Sequence, residues 1–558
     1  MVKQNWWREA VGYEIYIRSF QDSNGDGVGD LRGITSRLPY LKELGVDVIW
    51  VTPFYPSPFD DMGYDISDYC QVAPEFGTLE DFDAMVRTAH DLGIKVIIDM
   101  VLNHTSDEHP WFQESKSSRD NPKADWYCWH DGINGQPPNN WCSAFEGSAW
   151  EYCPQRGQYY LHQFSKKQPD LNWRNPEVVR AMFDMLRFWL DRGVDGMRFD
   201  VINALFKDAA LSDNCFIESG EPVDYDTTPD AIAFDPKLVR DGTRNQPETF
   251  EMIRRICREV IAPYGQLFTV GECWPCTPEV ATEIVGDHAL SVAFQFDYHM
   301  LDRMEPVAFK AIMSKWEASL DARPAGSWNC YYLSNHDMPR QIDRFGSRAC
   351  RETSAKMLAC FLLTAPGTVF LYQGEELGMT NVSYDTPEDY NDIQSVNLYR
   401  RLLAQGTPQN EAFAQMRRVS RDNARTPMQW DATVNAGFSQ AARTWLKVNP
   451  NYPQINAAAQ TDQEDSILQT YRRLIRLRKE HKALVYGSYR QLLPQHEQLS
   501  AVLREDGGAR YLILLNLTDR PAERPVLELP LSGATLLYSN NANETDSIPP
   551  YGAYVWKL

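Results

Sequence analysis

The chain has 558 residues, with 55 Lys and Arg against 76 Asp and Glu and a formal charge of −21. A surface of that sign repels nucleic acid, anionic membranes and polyanionic substrates, so neither nucleic acid nor membrane is an expected partner and a small neutral molecule fits better. Hydrophobic residues at 43 % and aromatics at 12 % describe a globular chain of more than one domain, with no run of about eighteen apolar residues to cross a membrane. The opening MVKQNWWREAVGYEIY has no apolar stretch behind its lysine, so no signal peptide is expected. Eleven scattered cysteines read as free thiols of a cytoplasmic protein, and composition leaves a monomer or weak homo-oligomer open.

The first strand-like run is VGYEIYIRSF (11–20), followed at once by DSNGDGVGD (22–30). That loop resembles the start of an EF-hand, whose template wants oxygen ligands at alternate positions, Gly at position 6 and a bidentate Glu at position 12. Asp22, Asn24, Asp26, Gly27, the carbonyl of Val28 and Asp30 fit the first nine positions, but position 12 is Gly33, and a strand rather than a helix precedes the loop. The run can hold a metal only in some other architecture.

Seven more short apolar runs follow: 46–54, 94–104, 194–201, 267–273, 291–297, 329–337 and 368–378. Stretches such as TLEDFDAMVRTAHDLG and PEVVRAMFDMLRFWLDRG lie between them, apolar at three- and four-residue spacing and ending in Gly. Eight strands alternating with helices predict an α/β fold, a parallel (β/α)8 TIM barrel. Residues 105–173, rich in Trp, Tyr, Asn, Pro and Gly, read as an insertion subdomain after the third strand. Another turn-rich insertion follows the eighth, at about 380–450. A helix at 466–481 leads into alternating strands, giving a barrel over 1–104 and 174–480 and a C-terminal antiparallel β domain over 481–558.

Polar residues gather where the proposed strands end, the face on which such barrels carry their chemistry. Asp99, Asn103 and His104 close the third, Arg198 and Asp200 the fourth, Glu272 the fifth, and His336 with Asp337 the seventh. Any one of them alone reads as a cap or an ion pair; four strand ends in succession do not. Three carboxylates at one barrel mouth crowd each other, which separates their pKa values so that one stays protonated while another is ionised.

DMVLNH (99–104), GMRFD (196–200), GE (271–272) and NHD (335–337) resemble the four signature regions of the alpha-amylase superfamily, glycoside hydrolase family thirteen. KKQPDLNWRNPEV (166–178), LYQGEELGMTN (371–381) and SRDNARTPMQWD (420–431) resemble its oligo-1,6-glucosidase and α-glucosidase branch. The resemblance implies Asp200 as nucleophile, Glu272 as general acid and base, and Asp337 as the group that grips the sugar in its distorted, oxocarbenium-like form. It implies retention of configuration through a covalent glycosyl-enzyme, with the two carboxyls about 5–5.5 Å apart. Arg198 would keep the nucleophile ionised, and His104 and His336 would donate to sugar hydroxyls. Asp61 and Tyr64 would hold the non-reducing glucose, Arg425 would close the pocket against Asp61, and Phe164 would wall it. The expected substrate is a small neutral oligosaccharide cut from its non-reducing end. The loop after strand one would bind Ca2+ (or Mg2+) through Asp22, Asn24, Asp26, the Val28 carbonyl and Asp30, as a structural ion; no organic cofactor is implied.

Val201, the residue after the nucleophile, resembles the α-1,6-active members, whereas Ala or Thr there resembles maltases. An α-1,4-preferring α-glucosidase, trehalose-6-phosphate hydrolase and sucrose isomerase or transglucosidase share the machinery and stay open, although QIDRFGSRAC (341–350) lacks the full Arg/Asp-rich pattern of the isomerases. A non-catalytic binding module of the same fold would have lost its carboxylates and gained a membrane span. CWPC (273–276) matches a redox pattern, but its place directly after Glu272 suggests thiols lining the leaving-group side, sensitive to mercurials.

Overall fold

The computed structural model describes residues 5–145, 147–215, 242–527, 529, 533–541 and 547–558. Eight parallel strands form one sheet: β1 Val11–Ile15, β2 Val48–Val51, β3 Lys95–Val101, β4 Gly196–Asp200, β5 Phe268–Glu272, β6 Val292–Phe294, β7 Cys330–Tyr331 and β8 Thr368–Tyr372. Their lateral order is β7-β8-β1-β2-β3-β4-β5-β6. The cylinder closes between β6 and β7 by sparse contacts, among them Tyr332 Oη donating to Gln295 O at 3.0 Å. Each expected strand is present and shorter than its apolar run, because the polar residues at the run's end turn into the loops above the barrel.

Alternation divides the strand residues between two cores. Val48, Trp50, Ile97, Phe268, Val270, Phe294 and Phe370 fill the barrel interior, while Ile49, Val51, Ile98, Met197 and Phe199 face the surrounding helices. A helical turn, Trp6–Glu9, plugs the lower end: the Trp7 and Phe268 rings stack at 6.0 Å and Phe268 on Phe370 at 5.9 Å. Gly12 is required here, since a Cβ would lie 2.5 Å from the Phe370 ring. Two ring helices begin on side-chain caps: Thr78 and Asp81 form a reciprocal box on Leu79–Asp91, and Asn175 caps Pro176–Leu190, each cap contributing about 1 kcal/mol.

Between β3 and β4 lies a small three-stranded antiparallel sheet of Trp129–His130, Trp150–Cys153 and Gln158–Leu161. It is fastened to the barrel by the buried ion pair of Lys207 and Asp170 at 2.9 Å. Beyond the helix Ile467–Glu480, capped by Ser466, five antiparallel strands form the C-terminal sheet. Its central hairpin pairs Asp506 with Ala509 across Gly507 and Gly508, both at positive φ, the two-residue turn that strand twist favours. Among the described residues no helix is long and apolar enough to cross a membrane.

Candidate active site

Period-two alternation carries the inward face of β4 from Gly196 through Arg198 to Asp200, and that of β5 from Phe268 through Val270 to Glu272. Arg198, 1 % exposed, is the hub. Its Nη1 donates to Asp99 Oδ1 and Oδ2 at 2.9 and 3.0 Å and to Asp200 Oδ1 at 2.8 Å; its Nη2 meets Glu272 Oε1 at 2.9 Å. Asp99 and Arg198 are lateral partners in the β3–β4 register, and Asp99 also accepts from Trp50 Nε1 and Tyr64 Oη, each at 3.1 Å. The chain leaves β4 through Val201, whose φ of 34° and ψ of 45° lie in the left-handed region. A β-branched side chain resists that conformation at a cost of about 1–3 kcal/mol. The kink aims the Val201 N–H at Glu272 Oε2, 3.1 Å away.

Opposite this pair stands the end of β7. His336 is stacked on Tyr64 with ring centroids 5.3 Å apart, and its Nε2 lies 2.8 Å from Tyr64 Oη and 3.3 Å from Asp337 Oδ2. Asp337 Oδ1 takes Arg425 Nη2 at 2.9 Å and Arg421 Nη1 at 3.4 Å. Arg421 reaches on to Asp61 Oδ1 at 3.1 Å and is anchored from behind by Asp392 at 2.7 Å. The other oxygen of Asp61 accepts Gln168 Nε2 at 3.2 Å. Phe145, Phe164 and His104 form one wall, the His104 and Phe164 rings 5.2 Å apart. Together these groups enclose a cavity of about 240 Å³ with Asp200, Glu272 and Asp337 on its floor.

Burial pushes the Asp200 carboxyl well up, Arg198 pulls it down, and Glu272 and Asp99 push it up again. Asp200 and Glu272 are thus held on two arms of one guanidinium. For Asp337 burial again acts upward, but His336, Arg421, Arg425 and Arg198 hold it below the ordinary carboxylate range. Burial pushes His336 down to about 3 and His104 to about 4, so both are neutral hydrogen-bonding groups.

Nine of the eleven expected catalytic and sugar-binding residues line the cavity; Arg198 and Arg425 lie behind it, fully buried. The contact expected between Arg425 and Asp61 is made by Arg421. Arg425, one turn later, lies beneath Asp337 and also donates Nε to His336 O at 2.9 Å. Phe145, Gln168, Trp274, Phe296, His299, Gln394 and Arg421 join the site without having been singled out in the sequence. The CWPC expectation is corrected: Glu272 points inward, so Cys273 points outward, and both thiols are buried in the core under the helices rather than lining the cavity.

The DSNGDGVGD loop does not present a cluster of acidic ligands. Asp22 accepts the backbone N–H groups of Asn24, Gly25 and Gly27, and Asp26 accepts that of Val28. Asp30 bonds Ser23 and caps the helix Leu31–Leu44 through Gly33. Among the described residues no three Asp, Glu, His or Cys side chains converge as metal ligands.

An eight-stranded parallel barrel with clustered carboxylates at the C-terminal ends of its strands defines a barrel glycosidase. The chain belongs to the alpha-amylase family, whose catalytic-domain model matches residues 14–487, and it is a glycoside hydrolase. It is 44 % identical to an oligo-1,6-glucosidase of Parageobacillus thermoglucosidasius over 99 % of each chain. Among solved structures it resembles a trehalose-6-phosphate hydrolase of Bacillus licheniformis, at 38 % identity, full coverage of both chains and a TM-score of 0.91. It also resembles an isomaltulose synthase of Erwinia rhapontici bound to sucrose, at 37 % identity, full coverage of both chains and a TM-score of 0.91.

Proposed function

We propose that the chain is a retaining, exo-acting α-glucosidase that releases glucose from short α-1,6-linked oligosaccharides such as isomaltose. The observation that carries this is the pairing of a carboxyl couple with a closed pocket end. Asp200 and Glu272 are bound by the two terminal nitrogens of one guanidinium, Arg198 Nη1 and Nη2, at 2.8 and 2.9 Å, which supports the close carboxyl pair of a retaining rather than an inverting enzyme. Arg421 and Asp61 shut the far side at 3.1 Å, so a chain enters only by its non-reducing end.

In this reading the Asp200 carboxylate attacks the anomeric carbon while Glu272, as the general acid, protonates the departing oxygen. Glu272 then takes a proton from the water that hydrolyses the glycosyl-enzyme, restoring both groups. Asp337, kept ionised by its arginines, holds the sugar hydroxyls and favours the distorted ring, with His104 and His336 as neutral partners.

A phosphorylated sugar fits less well. Among the described residues lining the cavity Arg421 is the one cation, and Asp61, Asp337 and Asp392 already surround it. The 341–350 segment does not line the cavity; Arg344 there donates to the carbonyls of Tyr298, His299 and Leu301. Both observations favour hydrolysis of a neutral substrate. Initial rates on isomaltose, maltose, sucrose and trehalose 6-phosphate test the reading, with isomaltose expected to be fastest. A preference for maltose removes the α-1,6 assignment, and turnover of sucrose to an isomer removes the hydrolytic one.

The alternate oxygen donors Asp22, Asn24, Asp26, Val28 and Asp30 support a structural Ca2+, since an oxygen that accepts one N–H keeps a lone pair for a cation. Calcium addition to chelated protein decides this, a stoichiometric ion with a raised Tm being the supporting result. Eleven free thiols support a reducing, cytoplasmic setting.

A further inference from the structure

One buried acid behind the pocket wall has no part in the scheme above. Glu14 is 2 % exposed, on the inward face of β1, level with Trp50 on one side and Tyr372 on the other. Among the described residues its one partner at ion-pair distance is His336, whose Nδ1 lies 2.5 Å from Glu14 Oε1. Arg198, Asp337 and Asp99 act on it from further off, and Arg198 already serves Asp99, Asp200 and Glu272. Tyr16 lies on the ring's face and Trp50 at its edge, while Asp337, Arg425, Arg198 and Arg421 act on the ring by charge.

We propose that Glu14 is a positioning residue: as a neutral carboxylic acid it donates its O–H to His336 Nδ1, fixing the ring as the Nε2–H tautomer that faces Tyr64 and Asp337. The assignment follows from counting hydrogens, since a neutral imidazole has one N–H. With that hydrogen on Nε2, it points at Tyr64 Oη and the Asp337 carboxylate. The Tyr64 hydroxyl is then free to donate to Asp99 at 3.1 Å, and Nδ1 accepts from Glu14. Every hydrogen has an acceptor.

With the hydrogen on Nδ1 and Glu14 ionised, the Nε2 lone pair would face the Asp337 carboxylate at 3.3 Å. Tyr64 would then have to turn its only hydrogen to Nε2, leaving Asp99 without it. Burial acts in the same direction on both partners, raising the Glu14 carboxyl and keeping the ring neutral. Functionally, a neutral acid here leaves Asp337 as the anion on this side of the sugar, and a ring held in one tautomer holds Asp337 in one orientation.

The inference rests on Asp337 and His336 as sugar-binding groups for its consequence, but its test does not. The infrared difference spectrum of the protein minus its Glu14→Gln variant should show the carbonyl stretch of a protonated carboxylic acid at neutral pH. The 15N signals of His336, assigned by their loss in His336→Asn, should show Nε2 protonated and Nδ1 as acceptor. Glu14→Gln, whose amide N–H replaces the acid O–H, should keep kcat and KM near the parent values. Glu14→Leu should raise KM about tenfold with a smaller change in kcat, as expected for one lost buried hydrogen bond. Carboxylate bands in place of the acid carbonyl, or a His336 protonated on Nδ1, overturn the proposal. So does a folded Glu14→Leu with parental KM. Should that variant fail to fold, the two spectra on parent and Glu14→Gln decide.

Discussion

Two regions of this molecule bury positive charge, and they do it in opposite ways. At the barrel mouth, Arg198, Arg421 and Arg425 meet carboxylates, and those anions outweigh burial to hold the guanidinium pKa values up. At the seam between barrel and C-terminal sheet, the partners are carbonyl oxygens. Arg478 Nη1 donates to Leu363 O and Ala365 O at 3.2 and 2.5 Å and Nη2 to Gly367 O. Arg504 donates to the carbonyls of Ser488, Thr364, Leu484 and Gly487 at 2.7–2.9 Å. Burial pushes these two down, to about 9 and about 10. A cation among carboxylates sets where protons sit and so poises a reaction. A cation among carbonyls satisfies buried acceptors and, at Arg504, joins the C-terminal sheet to the barrel through Thr364 O.

The sharpest way to break this comparison is to neutralise one anion at the mouth. Asp200→Asn should lower kcat by at least about 10⁴-fold, since both the nucleophile and the charge that opposes Glu272 are gone. It should leave Tm unchanged or higher, because a crowded buried carboxyl is replaced by a neutral amide. Residual turnover above a hundredth of the parent would show that Asp200 is not the nucleophile.

At the seam the effects should be reversed. Arg478→Met leaves the carbonyls of Leu363, Ala365 and Gly367 without their donor, a loss of about 3 kcal/mol at about 1 kcal/mol or more each. Denaturant unfolding should report that loss while kcat per folded molecule is unchanged; a fall in kcat without a fall in stability would merge the two regions.

How much of this was readable in the sequence follows the same division. The strands and the three carboxylates were legible because alternation and strand ends are local properties: Arg198 and Asp200 lie two apart on one strand face, and Glu272 closes another. Pairings across elements were not. SRDNAR offers two arginines four residues apart, and only the placement of the short helix Asp422–Arg425 against β7 decides that Arg421 takes Asp61 and Arg425 lies beneath Asp337. Glu14 did leave a signal, a single charge at an inward position of an otherwise apolar strand. The thiols of CWPC were misplaced because adjacency to Glu272 in sequence means opposite faces in a strand.

Within the mouth, the closed end separates anchoring from chemistry. Arg421→Lys keeps a charge but loses the fork that spans Asp61, Asp337 and Asp392. It should cost about 10²-fold in kcat/KM on isomaltose, mostly in KM, and should raise relative activity on longer chains as the dead end opens. Parental kinetics would mean the plug is not what limits chain length.

The smallest effect expected is at Val201, which does two things at once. Its side chain lines the cavity, and its strained backbone carries the N–H that meets Glu272 Oε2. Val201→Ala removes two methyl groups from the wall and leaves the N–H in place, so the chemistry should persist while the leaving-group site widens. A methylene-scale change in such a wall discriminates substrates by about tenfold or somewhat more, so the ratio of kcat/KM for isomaltose over maltose should fall by about that factor, chiefly by a gain on maltose. An equal fall on both substrates would instead assign Val201 to the support of Glu272, because losing orientation of the acid slows every linkage alike.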